Sequence, residues 1–183
     1  MNKLTAYFLI AMLAANASFA QKANQEVPTV SSVDIVRYAG KWYEIARFPN
    51  RFQDQCAANV TAEYEVRSDG LIGVTNRCRK IDAENTEVSG IARVVDIKSN
   101  AKLKVSFAPA WLSWLPIVWG DYWVIGLADD YTYAVVGEPS RKYLWVLSRA
   151  PTLNEATYKA ALSDAARAGY DTSKLVKTEQ KMY

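Results

Sequence analysis

Ala58-Asn59-Val60-Thr61-Ala62-Glu63-Tyr64-Glu65-Val66, followed at once by Ser68-Asp69-Gly70, is the stretch that decides the fold. Ala58, Val60, Ala62, Tyr64 and Val66 share one parity, and Asn59, Thr61, Glu63 and Glu65 the other. A period of two with one apolar side is a strand with one buried and one wet face. Ser68-Asp69-Gly70 is the turn that sends the chain back antiparallel. Leu71 to Cys78 is then the returning strand of a hairpin.

The same grammar continues outward. Trp42 to Phe48 is an apolar-rich strand upstream. Downstream, Glu87 to Ile97, Ala101 to Ala108, Gly120 to Ala128, Tyr131 to Gly137 and Lys142 to Ser148 read as strands, with Lys98-Ser99-Asn100 as a further turn. In Ala101 to Ala108, Leu103, Val105 and Phe107 oppose Lys102, Lys104 and Ser106. Eight sequential strands joined mostly by short loops predict an all-β, antiparallel, up-and-down sheet, either a sandwich or a closed barrel. A barrel of eight strands has room inside for one small ligand.

One helix is expected after the strands, over Leu153 to Ala168. Thr152-Leu153-Asn154-Glu155 reads as a capping box at its start. Tyr158, Leu162 and Ala165 share a face, and Gly169 suits the position just past its end. The last strand offers that face a surface, because Leu144 and Val146 oppose Tyr143, Trp145 and Leu147 and both sides are apolar. One side can look into the barrel while the helix covers the other. Lys174 to Gln180 reads as a short edge strand.

Composition narrows the chemistry. The 183 residues carry no histidine, which removes Ser-His-Asp and Cys-His catalysis and histidine-ligated zinc or haem. A net charge of +3 with no run of five like charges gives no argument for nucleic acid. Aromatics make up 12%, with 11 Tyr and 6 Trp, which favours a binder of something apolar over a hydrolase or metalloenzyme. No metal and no cofactor is expected.

Residues 1–20 read as a signal peptide: Lys3 is the positive region, Leu4 to Ala15 the apolar stretch, and Ser18-Phe19-Ala20 the small-residue cleavage site. Residues 21–32 read as a loose arm, and 33–183 as a single domain. The short leader looks bacterial, which predicts the periplasm, with association to the outer membrane as an extension of that reading. The first cysteine after the leader is Cys56, so no lipoprotein cysteine is expected. Oxidising surroundings predict a Cys56–Cys78 disulfide, against the alternative of two buried free thiols.

Three local patterns then line up: Gly40-Lys41-Trp42-Tyr43-Glu44 at the first strand, Asp129-Asp130-Tyr131-Thr132-Tyr133 between the sixth and seventh, and Trp145-Val146-Leu147-Ser148-Arg149 at the end of the eighth. Together they resemble the lipocalin family, with its G-x-W, T-D-Y turn and terminal Arg. Within that family the sequence looks like the bacterial Blc type and the apolipoprotein D-like branch, and the likeness covers about Val33 to Gln180. The turn departs from the family pattern, since Ala128-Asp129-Asp130 stands where T-D-Y would, and only Asp129 carries over. Gly40, Trp42, Asp129 and Arg149 are structural in this reading: Trp42 plugs the closed end and Arg149 covers its indole by a cation–π contact, worth about 0.5–2 kcal/mol.

Strand parity points Ala62, Tyr64, Val74, Asn76, Ala92, Val105 and Phe107 inward, and the resemblance implies Trp123, Ile125, Val136, Tyr143 and Trp145 as well. These are the expected ligand-binding residues. Cys56 and Cys78 share the inward parity. So does Glu44, a buried carboxylate that needs a partner the sequence does not name. Small residues facing large ones suggest a cavity, with a filled core as the alternative. The connection from Ala108 to Trp119 carries Trp111, Leu112, Trp114 and Leu115 with no charge. It belongs at the open rim beside the loop from Pro49 to Ala57. Membrane-surface contact, a lid over the mouth and a homodimer contact are all open for it.

The resemblance implies a non-enzymatic carrier of fatty acids or lysophospholipids, serving outer-membrane maintenance or a stress response. Arg47, Arg51 and Lys80 are candidate partners for a head group. Two alternatives remain: an isomerase of the lipocalin type that uses a cavity cysteine, and a binder of a pigment or haem through aromatic stacking.

Overall fold

A computed structural model describes residues 26–181. The expected signal peptide at 1–20 lies outside them. Eight strands run in chain order: β1 (Gly40–Arg47), β2 (Cys56–Val66), β3 (Ile72–Lys80), β4 (Asn85–Val94), β5 (Lys102–Ser106), β6 (Gly120–Leu127), β7 (Tyr133–Gly137) and β8 (Leu144–Ser148). Each pairs antiparallel with the next. β8 returns to β1, so the sheet closes into a barrel with no free edge among these eight. A ninth short strand, β9 (Val176–Lys177), lies antiparallel against the end of β1, where an edge strand was expected.

The hairpin forms, with Tyr64 facing Val74 and Val66 facing Ile72 across β2 and β3. The expected alternation is corrected at its start: the register shifts between Ala58 and Thr61, where Asn59 has φ +55°, and Thr61, expected on the wet face, is buried and lines the interior. Gly70 at the turn has φ +82°. The strand bounds differ from the expected ones by a few residues, which is ordinary fraying at element ends.

Two apolar layers result. The inner one fills the lower barrel, with Trp42, Tyr64, Val74, Ala92, Leu103, Val124, Val136 and Leu147. The outer one lies between the barrel wall and a helix, with Ile45, Ile125, Tyr133, Val135, Leu144, Val146, Ala161 and Ala165. β8 divides as its parity predicted: Leu144 and Val146 face the outer layer, and Leu147 the inner.

Among the described residues, two α-helices frame the barrel. The short α1 (Ile35–Tyr38) sits across its lower end, capped by Asp34, whose Oδ1 accepts from the backbone N–H groups of Val36 and Arg37. The longer α2 (Glu155–Arg167) packs outside against β6 and β7. It is the predicted helix, but its start corrects the expected capping box. Asn154 is the cap, its Oδ1 accepting from Thr157 N–H at 2.8 Å. A box needs its Glu three positions beyond the cap. Glu155 follows the cap directly and pairs with Lys159 instead. Past the helix end, Gly169 has φ +85°. The helix lies so close that a Cβ on Gly126 would stand 2.6 Å from the Asp164 side chain. Tyr133 donates to Asp164 Oδ2 at 2.9 Å, which fixes the helix to β7.

Part of the expected loose arm is not loose. From Glu26 to Ser32 the chain runs along the barrel, Val27 is only 1% exposed, and Val30 N–H donates to Val124 O at 3.0 Å. Val27 and Val30 supply the apolar contacts that a purely polar reading of the segment passed over.

Cys56 and Cys78 are joined in a disulfide that links the start of β2 to β3 across 22 positions of sequence. Closing a loop of that span stabilises a fold by roughly 3 kcal/mol.

Candidate functional site

The barrel has a sealed end and an open one. At the sealed end Trp42 is completely buried and its Nε1 donates to Tyr38 O at 2.8 Å. The Arg149 guanidinium lies 3.9 Å from the indole centroid. Its N–H groups donate to the carbonyls of Arg37, Tyr38 and Lys41, which ties the end of β8 to α1 and β1. Gly40 makes this approach available: it has φ +90°, and a Cβ there would meet Arg149 Nη1 at 3.4 Å. Asp129 contributes its backbone carbonyl, which accepts from Arg37 Nη2, while Arg37 stacks on the Tyr131 ring. The departure from the family pattern at this turn leaves the fold intact, because backbone and ring contacts hold it.

Above that plug stands a cavity of about 890 Å³, within the usual size of a small-molecule pocket. Ala62, Tyr64, Val74, Asn76, Ala92, Val105, Phe107, Val136, Tyr143 and Trp145 line it, as expected, and so does the disulfide pair. Trp42 and Arg149 do not.

Trp123 and Ile125 are corrected. Both face outward into the layer under α2, and Lys102 Nζ stands 4.3 Å from the Trp123 ring. Tyr122 and Val124 take their place in the lining. β6 is apolar on both faces because a helix covers its outside, so alternation alone sets no phase. Asp121 is the one charged residue of β6 and carries the parity of Trp123 and Ile125. That charge was the available signal, and in the structure it pairs with Lys104 at 2.8 Å. Tyr38 also lines the cavity, and no strand parity could find it because it comes from α1.

Two hydrogen-bonded clusters stand in the lining, one near each end. Towards the mouth, Glu44 is 3% exposed and accepts from Arg47 Nη1 at 2.9 Å, Gln53 Nε2 at 2.6 Å and the Thr178 hydroxyl. Gln53 Oε1 in turn accepts from Trp145 Nε1 at 2.9 Å and Asn50 Nδ2 at 3.0 Å. Arg47 is therefore the partner Glu44 required. At the floor, Tyr38 and Tyr64 each share a hydrogen bond with the Tyr122 hydroxyl, at 2.7 and 2.9 Å. Burial pushes the Tyr64 phenol up to about 12, and those of Tyr38 and Tyr122 well above the ordinary range, so all three are neutral at pH 7.

The three head-group candidates separate. Arg47 is neutralised by Glu44. Lys80 does not line the cavity and pairs with Asp82 and Glu84. Arg51 lines the mouth beside Phe52 and has no ion pair among the described residues.

At the rim, the connection between β5 and β6 makes two short 3₁₀ turns, Ala110–Leu112 and Pro116–Val118. Trp119 folds inward, its Nε1 donating to Ser113 O at 2.7 Å and its ring under Arg93. Trp111 and Trp114 turn outward, 73% and 76% exposed, while Leu112 and Leu115 are half-buried beneath them. A lid would have put those two indoles over the cavity.

The comparisons with known proteins agree with this geometry. Residues 33–180 match the family described as Lipocalin-like domain. Temperature-induced lipocalin-1 of Arabidopsis thaliana is 43% identical over 158 residues, covering 85% of this chain and 84% of that protein. Outer membrane lipoprotein Blc of Escherichia coli is 39% identical over 155 residues, covering 84% and 83%. Among solved structures, insecticyanin from the tobacco hornworm Manduca sexta superposes with a TM-score of 0.67 at 21% identity, over 85% of each chain. That last likeness speaks for the fold alone.

Proposed function

Because the chain belongs to the lipocalin family, we propose that it is a non-enzymatic carrier which shelters the acyl chain of a fatty acid or lysophospholipid inside the barrel. The observation that carries this reading is the cavity of about 890 Å³ above the Trp42 plug, walled mainly by aliphatic and aromatic side chains. Each methylene moved from water into such a space gains about 0.8 kcal/mol, so one chain suffices to drive binding. The ionic head group stays at the mouth, where Arg51 offers an uncommitted guanidinium. The isomerase alternative loses its nucleophile, because the disulfide holds both Cys56 and Cys78 and no histidine exists to activate a thiol.

The proposed place of action is the periplasm, after removal of the leader at residues 1–20, in the service of the outer membrane. The name of the Escherichia coli relative, outer membrane lipoprotein, supports that setting. The disulfide between Cys56 and Cys78 supports a form that is not lipidated at either of them. Contact with the membrane instead falls to the exposed Trp111 and Trp114, since indoles favour the headgroup level of a bilayer.

Native mass spectrometry of protein taken from the periplasm of producing cells, followed by lipid extraction, tests the cargo. A bound mass that resolves into fatty acid or lysophospholipid is expected. Protein that is recovered empty and takes up neither class contradicts the reading. For the rim, Trp111→Ser combined with Trp114→Ser is expected to reduce sedimentation with liposomes while leaving acyl-chain binding intact. Unchanged partition would turn the loop into a contact between copies of the chain, and a concentration-dependent dimer would then have to appear.

A further inference from the structure

The floor of the cavity contains a hydrogen-bond surplus. Tyr38, Tyr64 and Tyr122 each bring one O–H donor. The hydroxyls are joined by only two links, Tyr38 to Tyr122 and Tyr64 to Tyr122. However those links are oriented, two protons are used and one is left. No other acceptor among the described residues is bonded to any of the three hydroxyls. Tyr38 is 5% and Tyr64 9% exposed, and their neighbours in the lining are Ile72, Val74, Leu103 and Val136. A buried donor with no acceptor is unfavourable enough that folded proteins rarely keep one.

We propose that the three tyrosines form a subsite for a neutral oxygen acceptor, a hydroxyl or a carbonyl, carried at the deep end of an otherwise apolar ligand. The reading rests on the carrier function and adds the chemistry at the far end of the cargo. The acceptor is neutral because no cation lines the floor. Arg149 lies over Trp42, outside the cavity, with its N–H groups on backbone carbonyls. An ionised carboxylate placed among the phenols would be desolvated against one spare O–H donor and no cation. It is served better at the mouth by Arg51. The cavity is thus matched to a lipid with polarity at both ends: an anionic head at the rim and an oxygen on the tail. A plain hydrocarbon tail would leave the surplus proton to a trapped water or unpaired.

Removing a single hydroxyl does not remove the surplus, since any two tyrosines still leave at least one free proton. The informative variant is Tyr38→Phe, Tyr64→Phe and Tyr122→Phe together, which keeps the rings and leaves no orphan behind. Unsubstituted fatty acids and their ω-hydroxy counterparts, from twelve to eighteen carbons, are titrated against both proteins. The preference for plain over ω-hydroxy acid is expected to rise by at least about tenfold in the triple variant at the length that reaches the floor. The same ratio in both proteins at every length overturns the subsite and leaves the carrier reading standing. Failure of the wild-type protein to bind either acid overturns both. A measurement on the wild-type protein alone guards against a variant that does not fold. The carbonyl stretch of a ¹³C-labelled ketone near the tail end of a bound fatty acid is expected at lower frequency than in hexane. A stretch at its hexane position contradicts the proposal.

Discussion

Trp42→Ala lowers the stability of the fold by about 3–5 kcal/mol, the range for truncating a large buried aromatic to alanine. The site is fully buried, so little relaxation can refill the space. Three further losses compound the void. The Nε1 donation to Tyr38 O disappears. The Arg149 guanidinium loses the indole beneath it, a contact worth about 0.5–2 kcal/mol. The ring contact with Tyr38 at 4.9 Å goes too, and Tyr38 belongs to the helix that shuts the lower end. Urea denaturation followed by far-ultraviolet circular dichroism measures the effect. A midpoint that barely moves would mean that Trp42 does not plug the barrel.

Arg47→Ala is the second large loss, by a different mechanism. Glu44 is 3% exposed and Arg47 14%, so the carboxylate left behind is a buried charge without its ion-pair partner. Breaking such a pair from one side costs about 3–5 kcal/mol, most of it the desolvation of the survivor. The damage spreads, because Gln53 is held between Glu44 and Trp145. Removing both charges at once, as Glu44→Gln with Arg47→Met, is expected to recover much of the loss. Equal destabilisation in the single and double variants, read from the same denaturation curves, would show that packing and not the orphaned charge is responsible.

The sequence revealed most where one face of an element was wet. From Ala62 onward β2 alternates, Glu63 and Glu65 outside and Ala62 and Tyr64 inside, and the register follows; the irregularity between Ala58 and Thr61 left no mark in the apolar–polar pattern. The Trp42–Arg149 contact was legible through the resemblance, which implied both motifs at the closed end, where a cation covering a ring is favourable. Legibility failed where both faces were apolar. On β6 nothing but Asp121 distinguished Trp123 from Tyr122, and the phase inferred from resemblance came out one residue off. The floor tyrosines were hidden differently: Tyr38 arrives from a four-residue helix, and only the closed barrel brings its hydroxyl to those of β2 and β6. Glu44 could be seen to need a partner. Arg47, three positions along β1, was read as a head-group ligand because its surface-like charge gave no hint of burial.

The proposed cargo requires the barrel interior to be open space for one hydrocarbon chain. Titration of delipidated protein with hexadecanoic acid, on the wild type and on Ala92→Trp, tests it most directly. Ala92 is buried and lines the cavity, so an indole placed there occupies the space a chain would fill. The wild-type protein should bind one equivalent, and the variant, folded by circular dichroism, should bind none. A wild-type protein that takes up no acid, or a filled variant that takes it up as well as before, would place the lipid elsewhere and contradict the account.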